Sequence, residues 1–444
     1  MKKRMLLGAL VFCLMVMLLP YESQAVPSYA RQVKKPCTAC HTIWPNLNQY
    51  GRQFKVKAYT DVNQDWEMIN KDNMNLMTTF PFSARVLYYP LIRESNNNPA
   101  ATGGNSLNTT DKGQGATNLD QVAIFMASRV FDYAGIFTSA EADADPTTNG
   151  TFGIPTVKIA FQYPLGEGNT IGLVEFKGIS TAADPFNSLG GRDRDISWQA
   201  EAAPFILDSG WNFKSDDGDN VGSVLHGYFI GNRLYAAVGV MRGGTAPDGA
   251  PNQASTDPND WYYRIAWDQK LPNGAITFGA HYYDGTQRIG TGGVPVGTAF
   301  TPQFDSKVKR TYVDLSLEQN YGEDHLVEVQ ALYGNGDEKN VFGGTTGAGE
   351  ERKFDGYYAQ ASYFYDRQYG VVASINKIKF KDQTLSDPFL NPDKKDSWLV
   401  SLNFVPWLNT KIAFQYAATK TTFLDPTVGD QTDKISRVVM DLLF

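Results

Sequence analysis

The chain has 444 residues, three cysteines and a formal net charge of −7. An acidic balance excludes a nucleic-acid-binding role, which needs a basic footprint. Beyond residue 25 no stretch is long and apolar enough for a membrane helix, so any membrane insertion has to come from a closed β-barrel.

Residues 1–25 have the three parts of a secretory signal: the positive Lys2, Lys3 and Arg4, an apolar run from Met5 to Leu19, and small residues Ser23 and Ala25 before a cleavage point at Val26. Its apolar run is short for a bilayer span of about 20 residues. Cleavage removes three positive charges and one negative, Glu22, which takes the net charge from −7 to −9. It also removes Cys13 and leaves only Cys37 and Cys40.

Those two cysteines begin the run Cys37-Thr38-Ala39-Cys40-His41. Thiols at i and i+3 can each form a thioether to a haem vinyl group, with the next residue, His41, placed to ligate the iron. A thioredoxin-like pair needs a βαβ context that is missing here, and a structural zinc site needs four ligands. A plain disulfide does not call for the adjacent histidine. The reading is therefore one covalent haem c, bound through Cys37, Cys40 and His41, in a segment spanning residues 26–72. Such a segment is too short to enclose a haem on every side, so of hanging below a pore or entering it as a plug, the plug is the expectation, with the lumen wall supplying the missing cover.

Trp44, Leu47, Tyr50 and Phe54 follow at roughly helical spacing and form a small core or pack on the porphyrin. Arg31, Lys34, Lys35, Arg52, Lys55 and Lys57 make the segment basic within an acidic protein. Their expected partners are haem propionates or acidic lumen residues, with a solvated face as the alternative. The distal iron ligand stays open among Met68, Met74, Met77, His226, His281 and His325.

From about residue 76 to the end, segments of roughly ten residues alternate apolar and polar side chains between turn signals, the mark of a transmembrane β-barrel over residues 73–444. Val313, Leu315 and Leu317 fall on one face, Tyr312, Asp314, Ser316 and Glu318 on the other. Similar alternation runs through 398–405 and 410–417, and by the same pattern His281 points into the lumen. Seven short links alternate with eight long polar ones, at 91–119, 145–154, 178–220, 243–259, 285–306, 335–352, 382–396 and 420–432. That predicts about 16 strands, with both barrel ends on the short-turn side. Segment 178–220 is also a candidate inward constriction, and the acidic stretches 141–145 and 215–219 are candidates for raising cation concentration near the mouth. The chain ends in Val438, Met440, Leu442 and Phe444 on one face, which resembles the terminal signal of bacterial outer-membrane barrels.

The pattern C-x-x-C-H-T-x-x-P-x-L-N-x-[aromatic]-G-x-x-F-K over residues 37–55, followed by a barrel, resembles the fused outer-membrane monohaem cytochrome–porins of iron-oxidising bacteria. The resemblance implies an all-β fold, an outer-membrane barrel of about 16 strands with a short α-helical haem segment. It implies Cys37 and Cys40 as haem attachment points and His41 as the proximal ligand. The implied partners are extracellular Fe(II), a periplasmic c-type cytochrome and outer-membrane lipid. Two alternatives remain: a conduit running outward to extracellular metals, and a solute porin with a structural or sensory haem plug. No G-x-S-x-G, P-loop or other catalytic constellation accompanies these features.

Overall fold

The computed structural model describes residues 27–43, 46–60, 68–71, 74–77, 79–97, 112–114, 118–143, 152–177, 221–241, 260–290, 302–339, 351–382, 392–407, 409–426 and 429–444. The expected signal segment and the whole of loop 178–220, with its stretch 215–219, lie outside them.

Two short helices, α1 (Pro27–Val33) and α2 (Gln49–Val56), flank a 3-10 turn at Cys37–Ala39. A two-stranded ribbon follows, β1 (Met68–Lys71) paired with β2 (Met74–Met77). This ribbon straddles the boundary expected at residues 72–73, and the wall begins only at β3 (Phe82–Asn97). The remaining strands are β4 (Lys112–Gln114), β5 (Asn118–Phe131), β6 (Ala134–Asp143), β7 (Phe152–Gly166), β8 (Asn169–Lys177), β9 (Val221–Phe229), β10 (Leu234–Met241) and β11 (Asp260–Leu271). After them come β12 (Gly274–Gly290), β13 (Pro302–Tyr321), β14 (His325–Lys339), β15 (Glu351–Tyr365), β16 (Tyr369–Lys381), β17 (Pro392–Trp407), β18 (Thr410–Phe423) and β19 (Gln431–Leu443).

Strands β3 to β19 pair antiparallel with their neighbours, and β19 returns to β3 through pairs such as Leu442↔Val86 and Met440↔Tyr88. The three-residue β4 pairs the upper part of β3 at Ile92↔Gln114, while β5 pairs the lower part from Phe82↔Met126 to Tyr89↔Asn118. The two share one position in the wall, so the barrel closes with 16 strands, as the alternation predicts. Seven links of two to four residues lie at one end and the long links at the other. Three expected loops are shorter than their sequence suggests. The β12–β13 ladder runs on to Arg288↔Asp305, β3 reaches Asn97 and β14 reaches Lys339. Where no apolar face is required, period-2 alternation stops although backbone pairing continues.

Inward and outward faces separate as the sequence implies. On β17, Leu399, Ser401, Asn403 and Val405 are buried, whereas Trp398, Val400 and Leu402 are exposed. Tyr312, Asp314 and Glu318 are likewise buried on β13, and Val313 and Leu315 are exposed. The outward band carries aromatic side chains at both margins. Near the short turns lie Tyr133 with Tyr163 (ring centroids 6.2 Å apart), Tyr369 with Phe404 (5.3 Å) and the terminal Phe444. Towards the long links lie Trp261 with Tyr263 and Trp398 with Tyr416 (5.2 Å). Ile265, Leu315, Val371 and Leu402 fill the zone between. An apolar belt bounded by two aromatic girdles is the exterior of a membrane-spanning barrel. Leu402→Arg, at a side chain 55% exposed in that zone, is therefore expected to cost about 2–4 kcal/mol, the cost of arginine near the bilayer midplane. Denaturant titration in lipid vesicles measures it, and an unchanged midpoint would place this face outside the bilayer.

Candidate functional site at the short-turn mouth

The amides of Cys40 and His41 both donate to the Cys37 carbonyl, at 3.1 and 2.9 Å. This tight turn gathers two thiols and one imidazole within five residues. Cys37 is 1% and His41 7% exposed. The donor set and its local conformation fit the haem attachment expected from the sequence.

The rest of the 37–55 pattern braces this turn. Asn48 caps α2, its side-chain oxygen accepting from the Gly51 amide at 2.9 Å. Its Nδ2 donates to the carbonyls of Thr38 (3.2 Å) and Ala39 (3.1 Å), and its own amide donates to the Cys40 carbonyl at 2.9 Å. Gly51 is required by a close approach: a Cβ there would stand 2.1 Å from the Cys40 carbonyl oxygen. Helix α2 thus lies directly on the Cys37–His41 turn. Phe54 packs edge-on against Tyr29, which in turn stacks on Tyr59 with centroids 4.6 Å apart. Of the four residues expected to form a small core, Phe54 and Tyr50 join this cluster, Leu47 is not part of it, and Trp44 lies outside the described residues.

Residues 27–60 contact inward-facing groups of the wall, most of them within a few positions of the short turns. Tyr29 donates to the Ile136 carbonyl (3.0 Å) and Gln32 to that of Ala127 (2.7 Å). Gln162 donates to Thr60 (3.3 Å) and Lys158 to Tyr59 (3.2 Å). Val56 and Ala58 join Ala160, Val224, Tyr228 and Tyr235 in one apolar cluster, and Ile43 joins Leu326, Phe364, Val372 and Val405 in another.

The strongest polar seat is at Arg52. Its guanidinium meets Asp268 on β11 at 3.0 Å and Glu318 on β13 at 3.2 Å, with all three side chains buried. Burial alone would lower the arginine pKa, but the Glu318 and Asp268 charges outweigh it and hold the pKa above the ordinary value. Gln49 adds its amide to Glu318 at 3.1 Å, and Tyr228 donates to Asp268 at 3.1 Å. Of the two partners expected for the basic residues, Arg52 therefore uses acidic lumen residues. Lys35 instead lies over the Tyr50 ring at 4.4 Å, and Lys34 is exposed.

The distal candidates divide clearly. His281 faces the lumen as its alternation requires, but Tyr262 engages Nδ1 (3.0 Å) and Asp314 engages Nε2 (3.3 Å). Both ring nitrogens are thus occupied within the Arg264–Asp314 ion-pair cluster. His325 is on the outward face against Tyr363 and Tyr365 and cannot enter the lumen. His226 is 5% exposed with both ring nitrogens lacking a hydrogen-bond partner. It lies on β9, whose Val224 and Tyr228 pack with Val56 at the C-terminal end of α2, whereas Cys40 adjoins the N-terminal end. An eight-residue helix is about 12 Å long. Met68 and Met77 are partners in the β1–β2 register, and the side chains of Met68, Met74 and Met77 lie outside the described residues.

The fold and site together define a membrane-type barrel of 16 strands that carries a small helical segment in its short-turn mouth. The sequence matches no family model and no curated protein. Solved structures with a similar chain path include OmpT, an outer membrane protein of Vibrio cholerae, at 12% identity over 82% of this chain and 98% of that one (TM-score 0.45). The outer membrane channel DcaP of Acinetobacter baumannii is 10% identical over 82% and 97% (TM-score 0.46). An anion-selective porin from Comamonas acidovorans is 12% identical over 82% and 99% (TM-score 0.45).

Proposed function

We propose that the chain is an outer-membrane electron-transfer protein whose N-terminal segment carries one covalent haem c inside the periplasmic mouth of the barrel. Cys37 and Cys40 would hold the haem and His41 would be the proximal ligand. The haem supplies a one-electron centre when bound, suited to the single-electron oxidation of extracellular Fe(II), with a periplasmic c-type cytochrome as acceptor. The observation that carries this reading is the C-x-x-C-H turn, with its two thiols and imidazole within five residues, braced by Asn48 and Gly51, next to a helix seated on wall carboxylates through Arg52. A solute pore has no need of that donor set, and a soluble cytochrome has no need of those carboxylates. Short turns face the periplasm in bacterial barrels, which puts the segment where a periplasmic partner could reach it.

An anaerobic visible spectrum of the oxidised protein before and after addition of Fe(II) tests the reading. Prompt reduced c-haem bands are expected. An intact haem that stays oxidised would favour the outward conduit or the haem-plugged porin. The attachment itself has a sharper test in the Cys37→Ala, Cys40→Ala double variant. It is expected to lose all haem that survives a denaturing gel while still inserting as a barrel, and His41→Ala is expected to lose the normal c-type spectrum.

A further inference from the structure

We propose that Glu328 on β14 is a positioning residue for His41, so that the barrel wall helps set the iron's ligation, a role that rests on the haem reading above. Residues 41–42 pair with residues 46–47. His41 and Leu47 form a β-bridge, and the Thr42 amide donates to the Asn46 carbonyl at 3.1 Å. The two residues that close this loop also bind one wall side chain. Thr42 Oγ1 is hydrogen-bonded to Glu328 Oε1, and Asn46 Nδ2 donates to Glu328 Oε2 at 3.1 Å. Ser362 on β15 adds a third hydrogen bond to Oε2, at 3.2 Å. From the β15–β16 turn, Arg367 Nη1 donates to the Thr42 carbonyl at 3.4 Å.

Glu328 is 5% exposed. Three donor-capable groups converge on this buried carboxyl, whose two oxygens can accept from all of them. Ile43, fully buried against Leu326, Phe364, Val372 and Val405, fixes the same loop from its apolar side. The residue immediately after the proximal ligand is therefore tied to the wall, and groups beyond the ligand shell orient a ligating imidazole and tune its metal. The Arg52 seat holds α2; Glu328 holds the ligand's own loop.

The test uses the full-length protein and the variants Glu328→Ala, Glu328→Gln and Thr42→Val. Haem staining after a denaturing gel, ferric electron paramagnetic resonance and the midpoint potential are read on each. All three variants are expected to keep covalent haem, because both cysteines are untouched. Glu328→Ala and Thr42→Val should show displaced g-values and a tenfold change in the reduction equilibrium, about 59 mV for a one-electron couple. Glu328→Gln retains an acceptor oxygen and should fall between them and the parent. Thr42→Val leaves the barrel ladder intact and carries the test if a Glu328 variant fails to fold. Wild-type g-values and potential in haem-loaded Glu328→Ala or Thr42→Val would overturn the positioning role alone. Absence of covalent haem from the parent protein would overturn the haem reading and the positioning role with it.

Discussion

Arg52→Met is expected to release the N-terminal segment from the wall while leaving the barrel folded. The guanidinium is the cation between two buried carboxylates, Asp268 and Glu318, and it also donates to the Leu47 carbonyl at 2.9 Å. Methionine fills similar volume but leaves both carboxylates without that cation. Breaking a buried ion pair from one side costs about 3–5 kcal/mol, because the charge left behind has lost both water and partner. The barrel's own ladder closes without this segment, through β19 and β3. The cost therefore falls on docking. Limited proteolysis should cut the variant within residues 26–60 and spare a heat-modifiable barrel band. Adding Asp268→Asn and Glu318→Gln should restore most of the resistance by removing the stranded charges. Parental resistance in Arg52→Met would mean that apolar contacts such as Ile43 and Val56 suffice to hold the segment.

The same residues mark how far the sequence could be read. The barrel was legible because a strand in a membrane wall repeats its lipid face every second residue. On β16–β18 this pattern runs almost without a break. Strand ends were less legible. The ladder continues through pairs such as Arg288↔Asp305, where the sequence carries no apolar–polar alternation. The C-x-x-C-H motif is legible from five adjacent residues, and Arg52 is one of six basic residues around it. The wall partners are not legible in this way. Asp268, Glu318 and Glu328 each occupy one inward position on three different strands, more than 200 residues from the groups they bind. Nothing local distinguishes them from other polar lumen side chains. Inward orientation alone also overstates function. His281 faces the lumen, yet Tyr262 and Asp314 occupy its imidazole.

Gly51→Ala sets local propensity against packing, and the two give opposite signs. Within a helix, alanine is favoured over glycine by about 1 kcal/mol, so α2 considered alone should gain stability. In the folded chain the new methyl would stand 2.1 Å from the Cys40 carbonyl oxygen and 2.9 Å from its carbon. Both are backbone atoms and cannot swing aside as the end of a flexible side chain can. Relief requires α2 to lift from the Cys37–His41 turn, which stretches the bonds from the Asn48 amide to Cys40 and from Asn48 Nδ2 to Thr38 and Ala39. Overpacking of this kind costs roughly 1–3 kcal/mol, which outweighs the propensity gain. The strain falls on the five residues that present Cys37, Cys40 and His41. The expected result is a several-fold drop in covalent haem per barrel, read as haem stain against protein stain, with barrel insertion unchanged. Gly51→Val should lower it further, since it adds bulk and loses the helix propensity. If Gly51→Ala instead carried the parental amount of haem, the haem turn would tolerate separation from α2, and the bracing role of that helix would fall.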